Sequence, residues 1–411
     1  MSLRKSLVGL LAISIIGFAL PAKSQEAAAP QNEALAAQHD NALPLTPFYD
    51  LQGADISHAG DLVRSEPGTG YELPGGVTAT RIAYASRNES GDPVLATGVV
   101  LVPPGEAPEG GWPIVAWAHG TAGVARVCGP SLMKDVYYGW EGLFLYPLAG
   151  YAVVATDYAG LGGPAPHQYM WGRANGNDVA YSVPAAREAV PSLGEKWVAI
   201  GHSQGGYAAL RVQHMDAEAK AGFLGSIPLG SGANVSDIWA ASDPMMRTVG
   251  ATIPMMALSI KSVYPDLDLT KMLGPAALER LPTIQNETCY FAAEEAMRGV
   301  TRERGRVEGW TDVAEAVAFT DRNRIFDGPY DDPILLIVSA GDYFMPMQLR
   351  ENIFVELCQV ASRASYLELS GVDHEGTING SFHQQLDWLA DRFAGREVPQ
   401  GCTAAKESAG R

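Results

Sequence analysis

Short apolar runs recur along most of the chain and alternate with stretches whose apolar residues have helical spacing. A run of about four to eight apolar residues between turn-forming residues is typical of a buried strand. The runs that predict strands are residues 81–87, 94–102, 113–118, 151–156, 197–200, 223–229, 333–340 and 365–369. The stretches that predict helices are residues 178–190, 204–215, 348–360 and 381–393. Because strands alternate with helices after a leading hairpin, the pattern predicts an α/β fold with a mostly parallel central sheet and helices on both faces.

This alternation breaks between residues 231 and 323, where the pattern is helical and irregular. The segment contains six of the chain's twelve methionines, and methionine is a flexible filler that suits an adaptable apolar wall. Because the segment lies between two predicted strands of one sheet, we expect a helical cap inserted into a core formed by residues 43–230 and 324–411. A second helical core that uses methionine only for packing is the alternative.

Residues 1–24 have the features of a secretory signal peptide. Arg4 and Lys5 precede an apolar run over residues 7–20, and small residues stand before the expected cleavage point. That run is shorter than the ~20 residues that a membrane-spanning helix needs, which disfavours a membrane anchor. We therefore expect a secreted or periplasmic protein. Residues 25–42, rich in alanine, glutamine and asparagine, predict a mobile leader.

The charge and the cysteines narrow the expected partners and environment. The formal net charge of −17 argues against nucleic acid or an anionic membrane surface as a partner. Four cysteines in an exported chain predict two disulfides, and three pairings of them are open. No C-x-x-C pair occurs, so we predict no metal centre.

The candidate nucleophile is Ser203, which stands between the predicted strand 197–200 and the predicted helix 204–215. Its surroundings, Gly-His-Ser-Gln-Gly, match the G-x-S-x-G pattern of a nucleophile elbow. Glycine is needed at Gly201 and Gly205 because a side chain there would collide with the neighbouring strand or helix. A glycine-rich loop that merely closes a strand is the alternative interpretation.

A serine nucleophile needs a general base, and the base needs an orienting acid. Asp342 follows the predicted strand 333–340 and His374 follows the last predicted strand. The carboxyl ends of parallel strands meet at one edge of a sheet, so both side chains are expected beside Ser203. The order Ser203, Asp342, His374 is that of α/β-hydrolases. His119 is the main competitor for the base, but it fits better as part of an oxyanion loop.

Two backbone regions are candidates for stabilising an oxyanion. The N–H of Gln204 stands at a helix N-terminus and points to where the oxyanion would form. The second donor should come from the loop after strand 113–118, with Gly120 or Thr121 as the candidates.

The motifs AWAHGTAG, CGPS, ATDYAGLGGP, GHSQGG, AGD and VDHEGT, together with the helical insert, resemble the secretory lipase family (the lipase-A-like group) of α/β-hydrolases. The resemblance covers nearly the whole chain after the signal peptide. It implies an α/β-hydrolase fold with a Ser203, Asp342 and His374 triad. Fungal members of the family carry an acidic side chain near the oxyanion loop, where this chain has His119-Gly120-Thr121 as bacterial-type members do, so the second donor is either a side chain or a backbone N–H.

The resemblance also implies how the cysteines pair. Carried over by position, Cys128 would join Cys289, and Cys358 would join Cys402. The first bond would tether the cap to the oxyanion loop.

These observations predict an exported serine hydrolase that cleaves carboxylic esters, a lipase or a carboxylesterase, through an acyl-enzyme on Ser203. No metal or organic cofactor is expected. The expected partner is a small-molecule or lipid ester, with a lipid interface as a conceivable transient contact, and the oligomeric state is left open. The alternatives are a serine peptidase, a hydrolase of polyesters or bulky aryl esters, and a catalytically silent binding protein with the same fold.

Overall fold

A computed structural model describes residues 33–242 and 249–410. The predicted signal peptide, residues 1–24, lies outside the described residues, as do residues 25–32 of the predicted leader. None of the helices in the described ranges combines the length and the apolar character that a bilayer crossing requires.

One ten-stranded sheet runs through the described part of the chain. Its strands are β1 (Leu62–Pro67), β2 (Thr78–Arg87), β3 (Pro93–Val102), β4 (Trp112–Ala118), β5 (Ala152–Thr156), β6 (Leu193–His202), β7 (Phe223–Leu229), β8 (Ile334–Ser339), β9 (Arg363–Ser370) and β10 (Gly401–Ser408). The order across the sheet is β1-β2-β3-β5-β4-β6-β7-β8-β9-β10. From β5 to β10 all neighbours are parallel, whereas β1, β2 and β3 form antiparallel pairs and β3 joins β5 antiparallel. The predicted mostly parallel sheet with a leading hairpin is thus confirmed.

The helices that accompany the sheet include every one that the sequence predicts outside the insert. They are α1 (Glu33–Asn41), α2 (Leu145–Leu148), α3 (Gly172–Ala189), α4 (Gln204–Arg211), α5 (Val235–Ser242), α6 (Thr252–Val263), α7 (Pro275–Asn286), α8 (Tyr290–Met297), α9 (Arg302–Gly305), α10 (Ala314–Arg322), α11 (Met347–Val360), α12 (Thr377–Gly380) and α13 (Phe382–Phe393). Helices α3 and α4 pack against each other and against the central strands, and α11 and α13 pack on β9 and β7. The central strands are buried almost throughout, which explains their continuous apolar runs.

Helices α5 to α10 lie between β7 and β8, within the segment for which we predict a cap. Four of the methionines in this segment are buried: Met255, Met256, Met272 and Met297. They belong to a hydrophobic cluster that also contains side chains of β8, such as Leu336. The inserted helices therefore pack directly on the sheet, and their role as a cap remains a prediction.

The described part of the predicted mobile leader contains helix α1, and the mobility of the leader stays a prediction. The Gln38 side chain on α1 donates to the carbonyl of Glu287 at 2.8 Å and accepts from the N–H of Cys289 at 2.7 Å. Asn41 donates to the carboxylate of Asp135 at 2.8 Å. These polar contacts join residues more than 90 positions apart in the sequence. A local hydrophobic pattern therefore cannot predict them.

Both sheet edges extend further than the apolar pattern predicts. Strand β1 pairs with β2, and β10 pairs with β9 over its whole length. The Cys358–Cys402 disulfide joins α11 to β10 and so fastens the last strand to the fold. Most side chains of β10 are exposed, which is why the sequence carries no alternating pattern there.

Candidate active site

Ser203 lies at the sharp turn between β6 and α4, where its backbone angles are φ 55° and ψ −115°. A non-glycine residue with positive φ is strained and is held in place by its surroundings. A Cβ on Gly201 would lie 2.0 Å from the carbonyl oxygen of Gly205, so only glycine allows the turn to close. The N–H of Ser203 donates to the carbonyl of Leu229 at 2.9 Å, which ties the turn to the end of β7.

Asp342 and His374 form a buried pair beside this turn. The Nδ1 atom of His374 lies 2.6 Å from Oδ2 of Asp342, and both side chains are almost fully buried. The other carboxylate oxygen of Asp342 accepts from the N–H of Phe344 at 2.8 Å. Both oxygens are therefore fixed, and the aspartate holds the imidazole in one orientation. The Nε2 atom of His374 is buried and has no hydrogen-bond partner among the described residues.

The other acids that stand near in sequence contact different groups. Asp332 pairs with Lys220 at 2.7 Å, and Asp331 accepts from Ser362 at 3.0 Å, both at the far end of β8. Asp373 accepts from the N–H of Gly376 at 3.0 Å. Among the described contacts, only the Asp342 carboxylate meets the His374 ring.

His119 and His202 also lie close to the site and are buried. His119 contacts the carbonyls of Gly120 and Asp157 through its two ring nitrogens, at 2.6 and 3.2 Å. Burial lowers the pKa of His119 to about 4, so its ring is neutral at ordinary pH. His202 places Nε2 3.0 Å from the carbonyl of His374, and burial lowers its pKa well below the usual value. Both rings support the loops that carry the candidate residues.

The predicted oxyanion loop lies against the elbow. Thr121 lines the same cavity as Ser203 and Gln204, and its hydroxyl lies 2.9 Å from that of Tyr169. A Cβ on Gly120 would lie 2.9 Å from the Tyr138 hydroxyl oxygen, so the loop packs closely against that hydroxyl. Gln204 is the first residue of α4, and its N–H therefore has no carbonyl partner inside the helix.

A disulfide joins this loop region to the inserted helices. Cys128 is bonded to Cys289, the residue that precedes α8. The N–H of Tyr290 also donates to the carbonyl of Ala122 at 2.9 Å. The structure contains both of the disulfides that the resemblance implies, Cys128–Cys289 and Cys358–Cys402.

Ser203 and His374 open into a cavity of about 400 Å³ between the sheet edge and the inserted helices. Its wall is rich in aromatic rings, which are Tyr138, Tyr169, Tyr207, Trp239, Tyr290, Trp310, Tyr343 and Phe344. Ile253 and Met256 of α6 add aliphatic surface, and Glu375 places a carboxylate at the same wall. Such a cavity suits a mostly apolar substrate.

Several cavity residues escape sequence reasoning. Tyr169 belongs to the loop that follows β5, Tyr207 to the face of α4, and Tyr290 to the start of α8. No sequence motif identifies them, because they come together only when distant segments fold. The contacts of the Gln204 side chain, with His167 at 3.3 Å and Asn175 at 3.1 Å, could not be predicted from a motif either.

Asp157, which directly follows β5, has a structural role. Its carboxylate accepts from the N–H of Ser131 at 2.7 Å and from the hydroxyl of Thr97 at 2.6 Å. Burial raises its pKa to about 6. In residues 33–242 and 249–410, no group of histidine, cysteine, aspartate and glutamate side chains is arranged to hold a metal ion.

Comparisons with solved structures place this fold among known hydrolases. Lipase A of Candida antarctica in its closed state superposes with a TM-score of 0.69 at 14% identity, covering 87% of this chain and 88% of that chain. The rice cell wall degrading esterase LipA of Xanthomonas oryzae gives 0.65 at 17% identity, with coverages of 82% and 98%. A putative hydrolase of Legionella pneumophila gives 0.65 at 16% identity, with coverages of 82% and 100%. At these identities the likeness shows the fold, which is the predicted α/β-hydrolase fold.

The sequence itself matches a family model. No curated protein sequence matches the chain significantly. The model of the secretory lipase family, however, matches residues 130–401, which is more than half of the chain. This chain therefore belongs to the secretory lipase family and is a carboxylic ester hydrolase.

Proposed function

We propose that the protein is an exported serine hydrolase whose catalytic residues are Ser203, Asp342 and His374. His374 takes the proton of Ser203 through Nε2 as the serine oxygen attacks the ester carbonyl. The alcohol then leaves with that proton, and water cleaves the acyl-enzyme by the same route in reverse. Asp342 stabilises the imidazolium in both steps.

The observation that carries this proposal is the buried Asp342–His374 pair beside a strained serine. The 2.6 Å contact fixes Nδ1 as the protonated nitrogen, which leaves Nε2 free to accept. Ser203, His374 and the candidate oxyanion donors line one cavity. A nucleophile, a base and an orienting acid in this arrangement support acyl transfer.

The tetrahedral intermediate carries its charge on the former carbonyl oxygen. We assign the N–H of Gln204 as one donor to it, because the start of α4 also contributes the positive end of the helix dipole. The loop with Gly120 and Thr121 supplies the second donor. Thr121 is favoured of the two because it lines the cavity, whereas Gly120 packs against the Tyr138 hydroxyl and the His202 ring.

The proposal of export rests on three features. Residues 1–24 have the pattern of a signal peptide, the family is a secretory one, and two disulfides join distant segments. Disulfides persist in oxidising compartments outside the cytosol. Cell fractionation tests this, since the processed chain should appear in the periplasm or the medium and should begin near Gln25. A chain that keeps residues 1–24 in the cytosol would contradict it.

The triad is tested with p-nitrophenyl esters from acetate to palmitate. The wild type should hydrolyse part of the series, and the chain-length optimum separates a lipase from a short-chain esterase. Ser203→Ala should lose activity on the order of 10⁴-fold or more. A fluorophosphonate probe should label the wild type at Ser203 and leave the variant unlabelled. Labelling at another serine would contradict the assignment of Ser203 as the nucleophile.

A second candidate substrate class follows from the cavity wall. Eight aromatic side chains line it, and aromatic rings stack favourably on one another. This favours esters with an aryl group, or aromatic polyesters, over flexible chains. Comparing phenyl-substituted and linear esters of equal carbon number decides between the two. A higher kcat/KM for the linear esters would remove the aryl class.

A further inference from the structure

The side chain of Gln204, the residue after Ser203, is held by two buried hydrogen-bond acceptors. Its amide nitrogen donates to Oδ1 of Asn175 at 3.1 Å and lies 3.3 Å from Nε2 of His167. Nδ1 of His167 lies 3.0 Å from the carbonyl of Ala159, and a carbonyl can only accept, so Nδ1 carries the ring hydrogen and Nε2 accepts from Gln204. A turned amide would place the oxygen of Gln204 against two acceptors, so the side chain has one orientation.

Both acceptors are themselves fixed. The side-chain nitrogen of Asn175 donates to the carbonyl of Gln168 at 3.1 Å, which turns Oδ1 toward Gln204. Burial lowers the pKa of His167 to about 3, so its ring is neutral and Nε2 stays an acceptor at ordinary pH. The low pKa also makes His167 unsuited to be the general base for Ser203.

The segment that carries His167 also holds the loop with the second candidate donor. The ring of Tyr158 stacks on that of His167, with centroids 5.8 Å apart and an interplanar angle of 18°, and its hydroxyl donates to the carbonyl of His119 at 3.0 Å. The hydroxyls of Tyr169 and Thr121 lie 2.9 Å apart. Residues after β5 therefore contact the start of α4 and the loop after β4 at the same time.

This segment is tightly folded. Tyr158 has a positive φ of 65°, and a Cβ on Gly160 would lie 2.4 Å from the backbone nitrogen of His167. The N–H of Ala159 donates to the buried carboxylate of Asp178 at 2.8 Å. Strained backbone that is held by its surroundings is concentrated at sites where a precise geometry is needed. The segment thus forms a rigid spacer between the two candidate oxyanion donors.

We propose that His167 and Asn175 are positioning residues for the reaction at Ser203. Through the side chain of Gln204, they hold its backbone N–H at a fixed distance from the second oxyanion donor on the Thr121 loop. The proposal rests on the hydrolase function proposed above. Donors held in place need no reorganisation as the charge develops, and a displacement of about 1 Å can cost on the order of a hundredfold in rate.

Such an effect acts on the transition state and not on the bound ester. Formation and cleavage of the acyl-enzyme both pass through an oxyanion, so kcat falls whichever step is slower, while KM stays nearly constant. A residue that only stabilises the fold would lower the melting temperature without this split between kcat and KM.

The test uses His167→Phe, which keeps an aromatic ring beside Tyr158 but has no acceptor, and Asn175→Leu, which has nearly the same size but no oxygen. With p-nitrophenyl butyrate, each variant should lower kcat about tenfold or more and change KM less than about twofold. His167→Gln should retain more activity than His167→Phe, because its amide oxygen can still accept from Gln204. Active sites are counted by complete labelling with the fluorophosphonate probe, so that unfolded protein is not mistaken for a loss of kcat.

A trifluoromethyl ketone supplies a second readout. It adds to Ser203 and forms a tetrahedral oxyanion, so its Ki should rise by about the same factor as kcat falls. The matching secondary alcohol cannot form the oxyanion, and its Ki should stay as in the wild type.

Gln213→Leu is the matched control. The Gln213 side chain is also a buried amide, but it donates to the Ser226 hydroxyl at 3.1 Å and does not line the cavity. Its replacement should lower the melting temperature and leave kcat and both Ki values unchanged.

A folded variant of His167 or Asn175 that keeps the wild-type kcat and the wild-type affinity for the trifluoromethyl ketone overturns the proposal. A rise in KM with unchanged kcat overturns it too, since the residues would then shape ester binding. In both cases the enzyme still hydrolyses esters, and the proposed function stands. If the wild type neither hydrolyses the p-nitrophenyl series nor reacts with the fluorophosphonate, the proposed function itself is rejected.

Discussion

A Cβ atom on Gly205 would lie 1.8 Å from the carbonyl oxygen of Ala118, so the helix that follows Ser203 touches the backbone at the end of β4. This contact holds the serine turn directly beside the loop that carries Gly120 and Thr121. Backbone packing thus positions the candidate nucleophile Ser203 and the candidate oxyanion donors next to each other, and a side chain at Gly205 would disrupt it.

Gly205→Ala should therefore destabilise the protein by more than about 3 kcal/mol, because neither backbone can move without disturbing the sheet. Denaturant unfolding measures this. Gly75→Ala is the matched control, since a Cβ there would meet nothing within 4 Å. Equal stability of the two variants would show that the elbow is not as tightly packed as described.

Asp342→Asn should lower kcat on the order of 10⁴-fold, as loss of the orienting carboxylate does in serine hydrolases. The fold should be retained, because the amide has nearly the same size. Asp373→Asn is the control, as that carboxylate neighbours His374 in sequence but bonds the N–H of Gly376. A comparable loss in Asp373→Asn would contradict the assignment of Asp342 as the orienting acid.

The two disulfides should affect activity differently. Replacing Cys128 and Cys289 by alanine removes the covalent bond between the candidate oxyanion loop region and the start of α8, so both kcat and stability should fall. Replacing Cys358 and Cys402 acts at the sheet edge, so stability should fall while kcat stays near that of the wild type.

Loop-closure entropy for sequence separations of 161 and 44 residues gives losses of about 5 and about 4 kcal/mol in the free energy of unfolding. Calorimetry combined with ester kinetics on both double variants separates the two effects. A drop in kcat confined to the Cys358 and Cys402 variant would reverse the assignment.

Stability should also depend on pH through Asp178. Burial raises the pKa of Asp178 to about 7, although the Ser86 hydroxyl and the N–H of Ala159 donate to it. The folded protein therefore keeps this proton between about pH 4 and pH 7, whereas the unfolded chain loses it. The stabilisation that comes from this bound proton is fully present below about pH 4, and it is lost as the pH rises to about 7.

In Asp178→Asn this pH dependence should disappear, which changes the difference in unfolding free energy between pH 5 and pH 8 by on the order of a few kcal/mol. Denaturant unfolding at the two pH values measures it. The exposed Asp321 provides the control as Asp321→Asn, which should keep the wild-type dependence. The prediction fails if the pH dependence of Asp178→Asn equals that of the wild type.

Much of the fold could be predicted from the sequence because it follows from local rules. Buried parallel strands require apolar runs, and the 197–200 run and its neighbours identify them. The edge strand β10 could not be found in this way, since backbone pairing with β9 and the Cys358–Cys402 bond hold it while its side chains stay exposed. Helix α1 could not be predicted from the apolar pattern either, because polar contacts of Gln38 hold it against a distant segment.

The candidate triad could also be predicted from the sequence, because its position follows from the strands that the apolar runs identify. Ser203, Asp342 and His374 each directly follow or lie close behind a recognisable strand, and the carboxyl ends of parallel strands share one edge of the sheet. The topology alone therefore brings them to one place. Glycine at positions 201 and 205 then identifies the turn that presents the serine.

The shape and chemistry of the cavity were decided only by the tertiary structure. Tyr169, Tyr207, Ser231 and Tyr290 come from four separate segments, and nothing in their local sequence sets them apart from ordinary core residues. Whether a buried hydroxyl is paired depends on the atoms that surround it in space. The sequence by itself thus determined the kind of reaction to expect, and the packing of the inserted helices on the sheet decided which groups line the cavity beside Ser203.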